Sequence, residues 1–255
     1  MSDVSTADIC VIACAELFRD AGEIMVSPMT TVVSIGARLA RLSFAPDIVL
    51  SDGEARLIAD TPPIGAPAAI EGWMPFGRVF ETLAWGRRHV VMGANQIDRF
   101  GNINTTVIGD YRAPTSRLPG SGGANPIGAL ARRVLIIALH DKRSLAERVD
   151  FITTPGYLDG PGSRERWGLP PDTGPQVIIT NKALMRFDDK TKEAYLASYH
   201  PGCSVDEIVK LTPWDLKVAP DVHETEPPTS EELRVMREVL DPHRMIAIYE
   251  KRGYV

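Results

Sequence analysis

A short apolar run between turn residues, Pro46-Asp47-Ile48-Val49-Leu50-Ser51, has the pattern of a buried parallel strand. Two stretches with helical periodicity, residues 3–20 and 31–43, precede it, and a short strand is predicted between them at 23–27. Helices and strands that alternate through short connections are typical of an open α/β sheet. We therefore expect an open, mostly parallel sheet with flanking helices, to which the apolar run 134–139 adds another buried strand.

The turn directly after this strand, Asp52-Gly53-Glu54-Ala55, is a candidate catalytic segment. In open α/β sheets, ligands bind beyond the carboxyl ends of the strands, where a carboxylate can act as nucleophile, base or electrostatic partner. The alternative is a pair of turn acids in solvent. The residues alone leave open which carboxylate, that of Asp52 or that of Glu54, would be active.

A glycine-rich segment, Gly120-Ser121-Gly122-Gly123-Ala124-Asn125, is the second candidate site. Glycine permits positive φ and lets main-chain N–H groups converge on an anion. Residues 127–131 predict the start of a helix, whose free N–H groups and dipole would strengthen that attraction. The sequence thus predicts an oxyanion or phosphate cradle, and a flexible surface turn is the alternative. The candidate binding residues are Gly120, Gly122, Gly123, Ala124 and Asn125.

Polar side chains also follow the predicted strand at 90–92, in Gly93-Ala94-Asn95-Gln96. The amides of Asn95 and Gln96 can bind carbonyl and hydroxyl groups without carrying charge, which makes both residues candidate ligand contacts. Residues 98–101 have the composition of a hairpin turn, and 102–107 is the predicted returning strand.

Several further segments carry predictions of their own. The Gly/Pro-rich segment 155–172 is interpreted as a lid or a partner-contacting loop, because loops of this length are uncommon unless they are functional. The aromatic segment 71–76 is expected in the core, with a pocket floor or a subunit face as alternatives. The basic residues 87–89 are expected at a solvated strand entry. We also predict a strand at 151–154 and a Pro-rich linker at 220–228.

Composition argues against several classes of protein. The 255 residues carry a net charge of -5, which makes nucleic acid an unfavourable partner. No apolar run approaches the roughly 18 residues of a membrane span. Three cysteines, Cys10, Cys14 and Cys203, form no disulfide framework and indicate a reducing cytoplasm. Cys10 and Cys14 lack partners at metal-binding spacing and are expected in the core, so no metal site is predicted.

Several long motifs, in order, resemble the beta subunit of family I CoA-transferases, glutaconate CoA-transferase in particular. They are Gly93-Ala94-Asn95-Gln96-Ile97-Asp98, Asn102-Ile103-Asn104-Thr105-Thr106, Ile108-Gly109-Asp110-Tyr111, the segment 120–125, and Thr154-Pro155-Gly156-Tyr157-Leu158-Asp159-Gly160-Pro161-Gly162. The resemblance covers nearly the whole chain. It implies the open α/β fold of these enzymes and a single domain over residues 1–255. The helical spacing of Leu233, Met236 and Leu240 after Thr229 or Ser230 predicts a C-terminal helical tail at about 229–255.

The resemblance also implies an activity, the transfer of CoA between carboxylic acids through a glutamyl-CoA thioester. Coenzyme A would be part of the acyl-CoA substrate, with no permanently bound cofactor, and an alpha subunit would complete the site in an alpha2beta2 assembly. Counting from Asp47 without a gap places Gly53 at the nucleophile of the family, whereas a shift of one residue assigns that role to Glu54. Backbone N–H groups of Gly122, Gly123 and Ala124 would hold the thioester oxygen.

The N-terminal half also resembles the beta subunit of a steroid-ring-cleaving hydrolase that shares this fold. The segments that carry this likeness are residues 52–55, 71–76 and 86–96. It implies hydrolysis of a CoA-linked ring, with the essential Glu supplied by the alpha subunit. A non-catalytic acyl-CoA-binding subunit is a further alternative. A sugar-phosphate isomerase of similar sheet architecture is another, but the glycine segment lacks the adjacent lysine that a phosphate pocket would need.

Overall fold

The computed structural model describes residues 4–53, 55–86 and 88–251. The chain divides into two compact units, Met1–Met92 with Thr225–Val255, and Gly93–Glu224. None of the helices in the described part of the chain is long and apolar enough to cross a membrane. The single domain over residues 1–255 stays a prediction.

Helices and strands alternate along most of the chain. The helices are α1 Thr6–Glu16, α2 Thr31–Ser43, α3 Phe76–Ala84, α4 Ala124–Leu130, α5 Ser163–Arg166, α6 Val205–Leu211, α7 Ser230–Arg234 and α8 Met245–Lys251, with a π-helix at Val235–Leu240. The strands are β1 Met25–Pro28, β2 Val49–Ser51, β3 Arg56–Ile58, β4 Ile70–Trp73, β5 Arg88–Gly93, β6 Gln96–Asp98, β7 Ile103–Asn104, β8 Val107–Gly109, β9 Pro114–Arg117, β10 Arg133–Ala138, β11 Leu145–Ala146, β12 Pro175–Thr180, β13 Ala183–Phe187, β14 Ala194–Tyr199 and β15 Lys217–Glu224.

The first unit contains strands in the order β5-β1-β2-β3-β4. β1 pairs in parallel with β5 and β2, whereas β2, β3 and β4 are joined in antiparallel fashion. Helix α1 is buried from Ala7 to Ala15 and packs on α2. Gly36 permits this contact, since a Cβ there would lie 3.0 Å from the Cβ of Cys14. Cys10 and Cys14 are fully buried, as predicted for core residues.

The second unit contains strands in the order β15-β14-β13-β12-β10. β10 and β12 are parallel, β12, β13 and β14 are antiparallel, and β14 and β15 are parallel. Two small sheets, β11-β6-β7 and β8-β9, lie in the same unit. In both units, parallel strands that begin and end together create an edge at which their carboxyl ends meet.

The open α/β sheet with flanking helices is confirmed, and the helix predicted at 31–43 has these bounds in the structure. The hairpin after residue 96 is also present, as β6 and β7. The strand predicted at 151–154 is wrong, because only an isolated bridge between Ile103 and Thr154 forms there. The linker predicted at 220–228 is wrong as well. Most of it belongs to β15, where a register shift against β14 accommodates Pro220.

Two surface predictions also need correction. The aromatic segment 71–76 was expected in the core, but Trp73 is 71% and Phe76 64% exposed. The basic residues 87–89 were expected at a solvated strand entry, but Arg88 and His89 are buried within β5, and Arg87 lies outside the described residues. Burial lowers the pKa of Arg88 to about 10, against the opposing effect of the Asp52 carboxylate.

Candidate active site

The turn after β2 is held by its own side chains. The Gly53 N–H donates to Ser51 Oγ at 3.2 Å, and the Arg56 N–H donates to Asp52 Oδ1 at 3.1 Å. The Asp52 N–H in turn donates to the Arg56 carbonyl at 3.0 Å. Asp52 is therefore engaged within the turn. Glu54, the predicted catalytic residue, lies outside the described residues.

Gly53 occupies a conformation that other residues rarely adopt. Its φ is +92°, and a Cβ at this position would lie 2.6 Å from the carbonyl oxygen of Pro28. Both the positive φ and the contact exclude a glutamate here without movement of the backbone. Of the two possible nucleophile positions, position 53 has no carboxylate and no room for one.

The glycine segment precedes α4 directly, with Gly123 as the N-cap residue. Gly120 and Gly122 have φ of +100° and +47°, which explains why the segment uses glycine. Thr105 fixes its first residue, because the Gly120 N–H donates to the Thr105 carbonyl at 2.7 Å and Thr105 Oγ1 donates to the Gly120 carbonyl at 2.9 Å. The segment is thus an anchored turn rather than a flexible one.

The N–H groups of this turn fall into two sets. The Gly120 N–H is used by Thr105, and the Ala124 N–H donates to the Ser121 carbonyl at 2.8 Å. The N–H groups of Gly122 and Gly123 have no hydrogen-bond acceptor among the described residues. A Cβ at Gly120 or Gly122 would meet nothing within 4 Å, so the surroundings of both are open. Gly122 and Gly123 are consequently the available donors, whereas Ala124 is not.

Asn95 and Gln96, predicted together as ligand contacts, have different environments. Gln96 is buried, and its Oε1 accepts hydrogen bonds from Asn104 Nδ2 at 2.8 Å and from the Asp150 N–H at 3.0 Å. Its Nε2 donates to Asp150 Oδ2 at 3.4 Å. Gln96 is therefore committed to contacts within the chain, in contrast to the prediction. Asn95 is exposed, as is Asn125, and its side-chain amide has no partner in the described part of the chain.

Sequence reasoning missed Arg164, which is 4% exposed and fixes the far end of α4. Its Nη1 donates to the carbonyls of Gly128 at 3.1 Å and Gly156 at 2.8 Å. Its Nη2 donates to the Ala129 carbonyl at 3.1 Å and to Thr173 Oγ1 at 2.6 Å. A cation at the last carbonyls of a helix is electrostatically favourable. The sequence signals were its place in a long Gly/Pro-rich segment and in Arg164-Glu165-Arg166, which continues the last of the motifs that resemble the CoA-transferase family.

The segment 155–172 is anchored at its start by Asn102. Asn102 Oδ1 accepts from the N–H groups of Gly156 at 2.9 Å and Leu158 at 3.0 Å. Asn102 Nδ2 donates to Asp98 Oδ2 at 3.0 Å, and burial raises the pKa of Asp98. With Arg164 holding its middle, this segment does not have the loose attachment of a lid. A partner contact stays a prediction, with Trp167 74% exposed.

Within the described ranges, no group of three or more His, Cys, Asp and Glu residues is arranged to hold a metal ion.

The family model for coenzyme A transferases matches residues 78–211. The chain belongs to the coenzyme A transferase family. The match includes Asn95, the glycine segment and Arg164, whereas the turn with Gly53 and Glu54 lies before it.

Among relatives in this family, the cholesterol ring-cleaving hydrolase IpdB subunit of Mycobacterium tuberculosis is 45% identical, over 92% of this chain and 94% of the relative. The glutaconate CoA-transferase of Acidaminococcus fermentans has a subunit that is 37% identical, over 82% of each chain. The crystal structure of Rhodococcus jostii RHA1 IpdAB superposes with a TM-score of 0.87 at 40% identity, covering 97% of this chain and 98% of the other. These likenesses confirm the predicted fold and both resemblances.

Proposed function

We propose that this chain is the beta subunit of a heteromeric enzyme that acts on acyl-CoA thioesters, with coenzyme A as part of the substrate. The observation that carries the proposal is the pair of N–H groups on Gly122 and Gly123, which have no acceptor among the described residues, with open space around Gly122. Two such donors match the needs of a thioester oxygen that gains negative charge when its carbonyl carbon is attacked. Because the turn is anchored by Thr105, the donors need no reorganisation.

An exposed aromatic surface next to the turn that contains Glu54 supports the presence of a partner subunit. Trp73 lies opposite Arg56 in the β3–β4 pair, and the Met74 N–H donates to the Ala55 carbonyl at 2.7 Å. Trp73 and Phe76 are 71% and 64% exposed, and a subunit packed on β4 and the start of α3 would cover them. An alpha subunit packed there would reach the turn, in the alpha2beta2 assembly that the family resemblance implies.

Hydrolysis is the first of two mechanisms for this site. It follows the relative with 45% identity, and Gly53 favours it, because the ungapped nucleophile position accepts glycine alone. A carboxylate of the partner would direct water at a CoA-linked ring, such as a steroid degradation intermediate, while Gly122 and Gly123 hold the oxygen that becomes negative. The beta subunit then supplies the pocket and the oxyanion donors.

CoA transfer through Glu54 is the second mechanism, favoured by a carboxylate directly after Gly53. Attack of Glu54 on the thioester carbon gives a mixed anhydride and releases CoAS⁻. Attack of CoAS⁻ on the glutamyl carbonyl then forms glutamyl-CoA and releases the first carboxylic acid. A second carboxylate reverses these steps and leaves with CoA.

Glu54→Gln separates the two mechanisms, with Glu23→Gln as a control at an exposed acid. The assembly is incubated with acyl-CoA and an acceptor carboxylate in H₂¹⁸O, and the activated Glu54 carboxyl, as anhydride or CoA thioester, is trapped with hydroxylamine. Transfer predicts that Glu54→Gln abolishes turnover and trapping, while Glu23→Gln retains both. Hydrolysis predicts near-normal turnover of Glu54→Gln with ¹⁸O in the product.

A chain that only binds acyl-CoA predicts that Gly122 and Gly123 variants weaken CoA binding and leave turnover of bound substrate unchanged, which would contradict both mechanisms.

The thiols fit the cytoplasmic location that we also propose. Burial raises the pKa of Cys10 and raises that of Cys14 to about 12, so neither is a reactive thiolate near neutral pH. None of the three cysteines forms a disulfide within the described part of the chain.

A further inference from the structure

A polar cavity in the second unit lies at the amino ends of β10 and β12. Its volume is about 410 Å³, within the range of roughly 300–1,000 Å³ typical of small-molecule sites. Arg133, the first residue of β10, and its neighbour Arg132 border it. The candidate contact Asn95 lies at the other end of the strand, since the Ala94 N–H bonds the Ile137 carbonyl. At roughly 3.3 Å per residue, the length of β10 separates this cavity from the end of the strand at which Asn95 lies.

Four cationic side chains, those of Arg132, Arg133, Arg164 and Lys192, border the cavity together with three carboxylates. Neither Arg132 nor Arg133 forms an ion pair or hydrogen bond through its side chain with any residue that the structure describes. Lys192 is half-buried, lies 4.0 Å from Asp189, and places its Nζ 5.3 Å from the centre of the Tyr157 ring. The guanidinium groups of Arg132 and Arg133 are therefore available to a ligand.

Arg164 contributes a donor that is both buried and unused. The residue is 4% exposed and borders the cavity, and its Nε has no hydrogen-bond partner among the described residues. Gly174 keeps the space beside this nitrogen open, because a Cβ there would lie 3.4 Å from Nε. Buried donors without an acceptor are rare in folded proteins, and a bound acceptor would satisfy this one.

We propose that this cavity binds a small phosphorylated ligand that also carries hydroxyl groups, of the nucleoside monophosphate or sugar phosphate class. Guanidinium groups recognise phosphate oxygens through paired, charge-assisted hydrogen bonds, which Arg132, Arg133 and the Nε of Arg164 supply. The carboxylates of Glu165 and Asp172 also border the cavity. They repel a bare dianion and accept hydrogen bonds from hydroxyl groups, so the lining favours a ligand with both kinds of group.

The ligand would contact the same arginine that fixes α4. Nη1 and Nη2 of Arg164 hold the carbonyls of Gly128 and Ala129, and α4 begins at the glycine segment. The proposed site is nevertheless separate from the thioester chemistry proposed above, and it does not depend on it.

Isothermal titration calorimetry of the full chain, in the assembly in which it purifies, tests the proposal with AMP as the probe. Adenosine and inorganic phosphate are titrated in parallel. Adenosine has the hydroxyl groups without the phosphate, and inorganic phosphate lacks the sugar hydroxyl groups. AMP is expected to bind more tightly than either. Arg132→Gln and Arg133→Gln are each expected to weaken AMP binding about tenfold to a hundredfold. Arg112→Gln, at an exposed arginine outside the cavity lining, is the control and should leave binding unchanged.

Three outcomes would overturn the proposal. They are no heat of AMP binding at millimolar concentration, equal binding of adenosine and AMP, and AMP binding that survives both Arg132→Gln and Arg133→Gln. The last result would place AMP at another site, such as one for the nucleotide portion of CoA. Both arginines lie at least partly in solvent, so neither variant removes a buried contact.

Discussion

The two ends of α4 lie in opposite environments. At its start, the N–H groups of Gly122 and Gly123 have no acceptor among the described residues, and the space around Gly122 is empty. At its end, the carbonyls of Gly128 and Ala129 are held by the buried guanidinium of Arg164. The helix is thus fixed at one end and open at the other. This arrangement presents donors to a ligand from a backbone that is already in place, which is the requirement for electrostatic preorganisation.

The largest effect is expected at the fixed end, for Arg164→Met. The substitution removes the donors of buried carbonyls and of Thr173 Oγ1, and each unsatisfied buried acceptor costs roughly 1–3 kcal/mol. We expect the free energy of unfolding, measured in urea, to fall by at least about 3 kcal/mol. Arg112→Met, at an exposed arginine, should change it by less than about 0.5 kcal/mol.

Arg164→Lys sharpens this test, because it keeps the charge and loses the planar fork of donors. It should restore only part of the stability. A loss below about 1 kcal/mol for Arg164→Met would mean that the end of α4 is held by other contacts, and the contrast between the two ends would fail.

At the open end, the matched pair Gly123→Pro and Gly123→Ala tests the free N–H directly. The φ of Gly123 is -86°, which alanine adopts without strain and which is near the range of proline. Only proline removes the N–H. We expect Gly123→Pro to lower kcat by roughly 10²–10³-fold, the usual cost of one oxyanion donor, while Gly123→Ala stays near the parent value. Equal kcat values for the two variants would exclude the Gly123 N–H from the reaction.

The open end was predictable from sequence and the fixed end was not. Glycines that need positive φ, followed by a helix, leave a local signature in Gly120 and Gly122. The partners of Arg164 come from residues 128, 129, 156 and 173, so no local pattern reveals them. Similarly, the helix 31–43 follows from its own periodicity and its cap at Thr30.

Tertiary context decided the elements that sequence reasoning missed. Pro220 indicated a linker, but the register shift between β14 and β15 leaves it where no ladder hydrogen bond is required. Gln96 and Asn95 have similar chemistry and adjacent positions, and only the pairing of β6 with β7 decides which of them is buried. Gln96 begins β6, whose three residues are all buried, whereas Asn95 lies just before the strand and is exposed.

Buried histidines make the stability of the chain depend on pH. His140 is 2% exposed, with Nδ1 3.1 Å from Thr180 Oγ1 and Nε2 3.0 Å from Thr212 Oγ1. Burial lowers its pKa from 6.5 to about 4, and the nearby Lys182 acts in the same direction against Glu207 and Asp141. Between pH 4 and pH 6.5 the unfolded state therefore binds more protons at His140 than the folded state does. The contribution of buried, neutral His140 to the free energy of unfolding is fully present above about pH 6.5 and is lost as the pH decreases toward 4.

The loss attributable to His140 is about 3 kcal/mol between pH 7 and pH 4. Urea unfolding at several pH values should show a shallower pH dependence for His140→Gln than for the parent chain. Burial also lowers the pKa of His200, so part of the slope should remain. His223→Gln, at an exposed histidine, is the control and should leave the slope unchanged. An unchanged slope in His140→Gln would mean that this imidazole charges without unfolding the chain.

The smallest effects are expected for the neighbours Asn95 and Gln96, which repeat the contrast between open and fixed groups within one dipeptide. Gln96→Leu leaves Asn104 Nδ2 and the Asp150 N–H without the acceptor Oε1, at a cost of about 2 kcal/mol in the free energy of unfolding. Asn95→Ala should leave stability within about 0.5 kcal/mol and raise KM, because its exposed amide is free to bind substrate. Urea unfolding and steady-state kinetics on both variants separate the two roles.

If Asn95→Ala leaves KM unchanged, the substrate does not reach this end of the sheet. If instead Gln96→Leu raises KM at unchanged stability, its buried amide serves the ligand after all, and the division between open and fixed groups does not hold at β6.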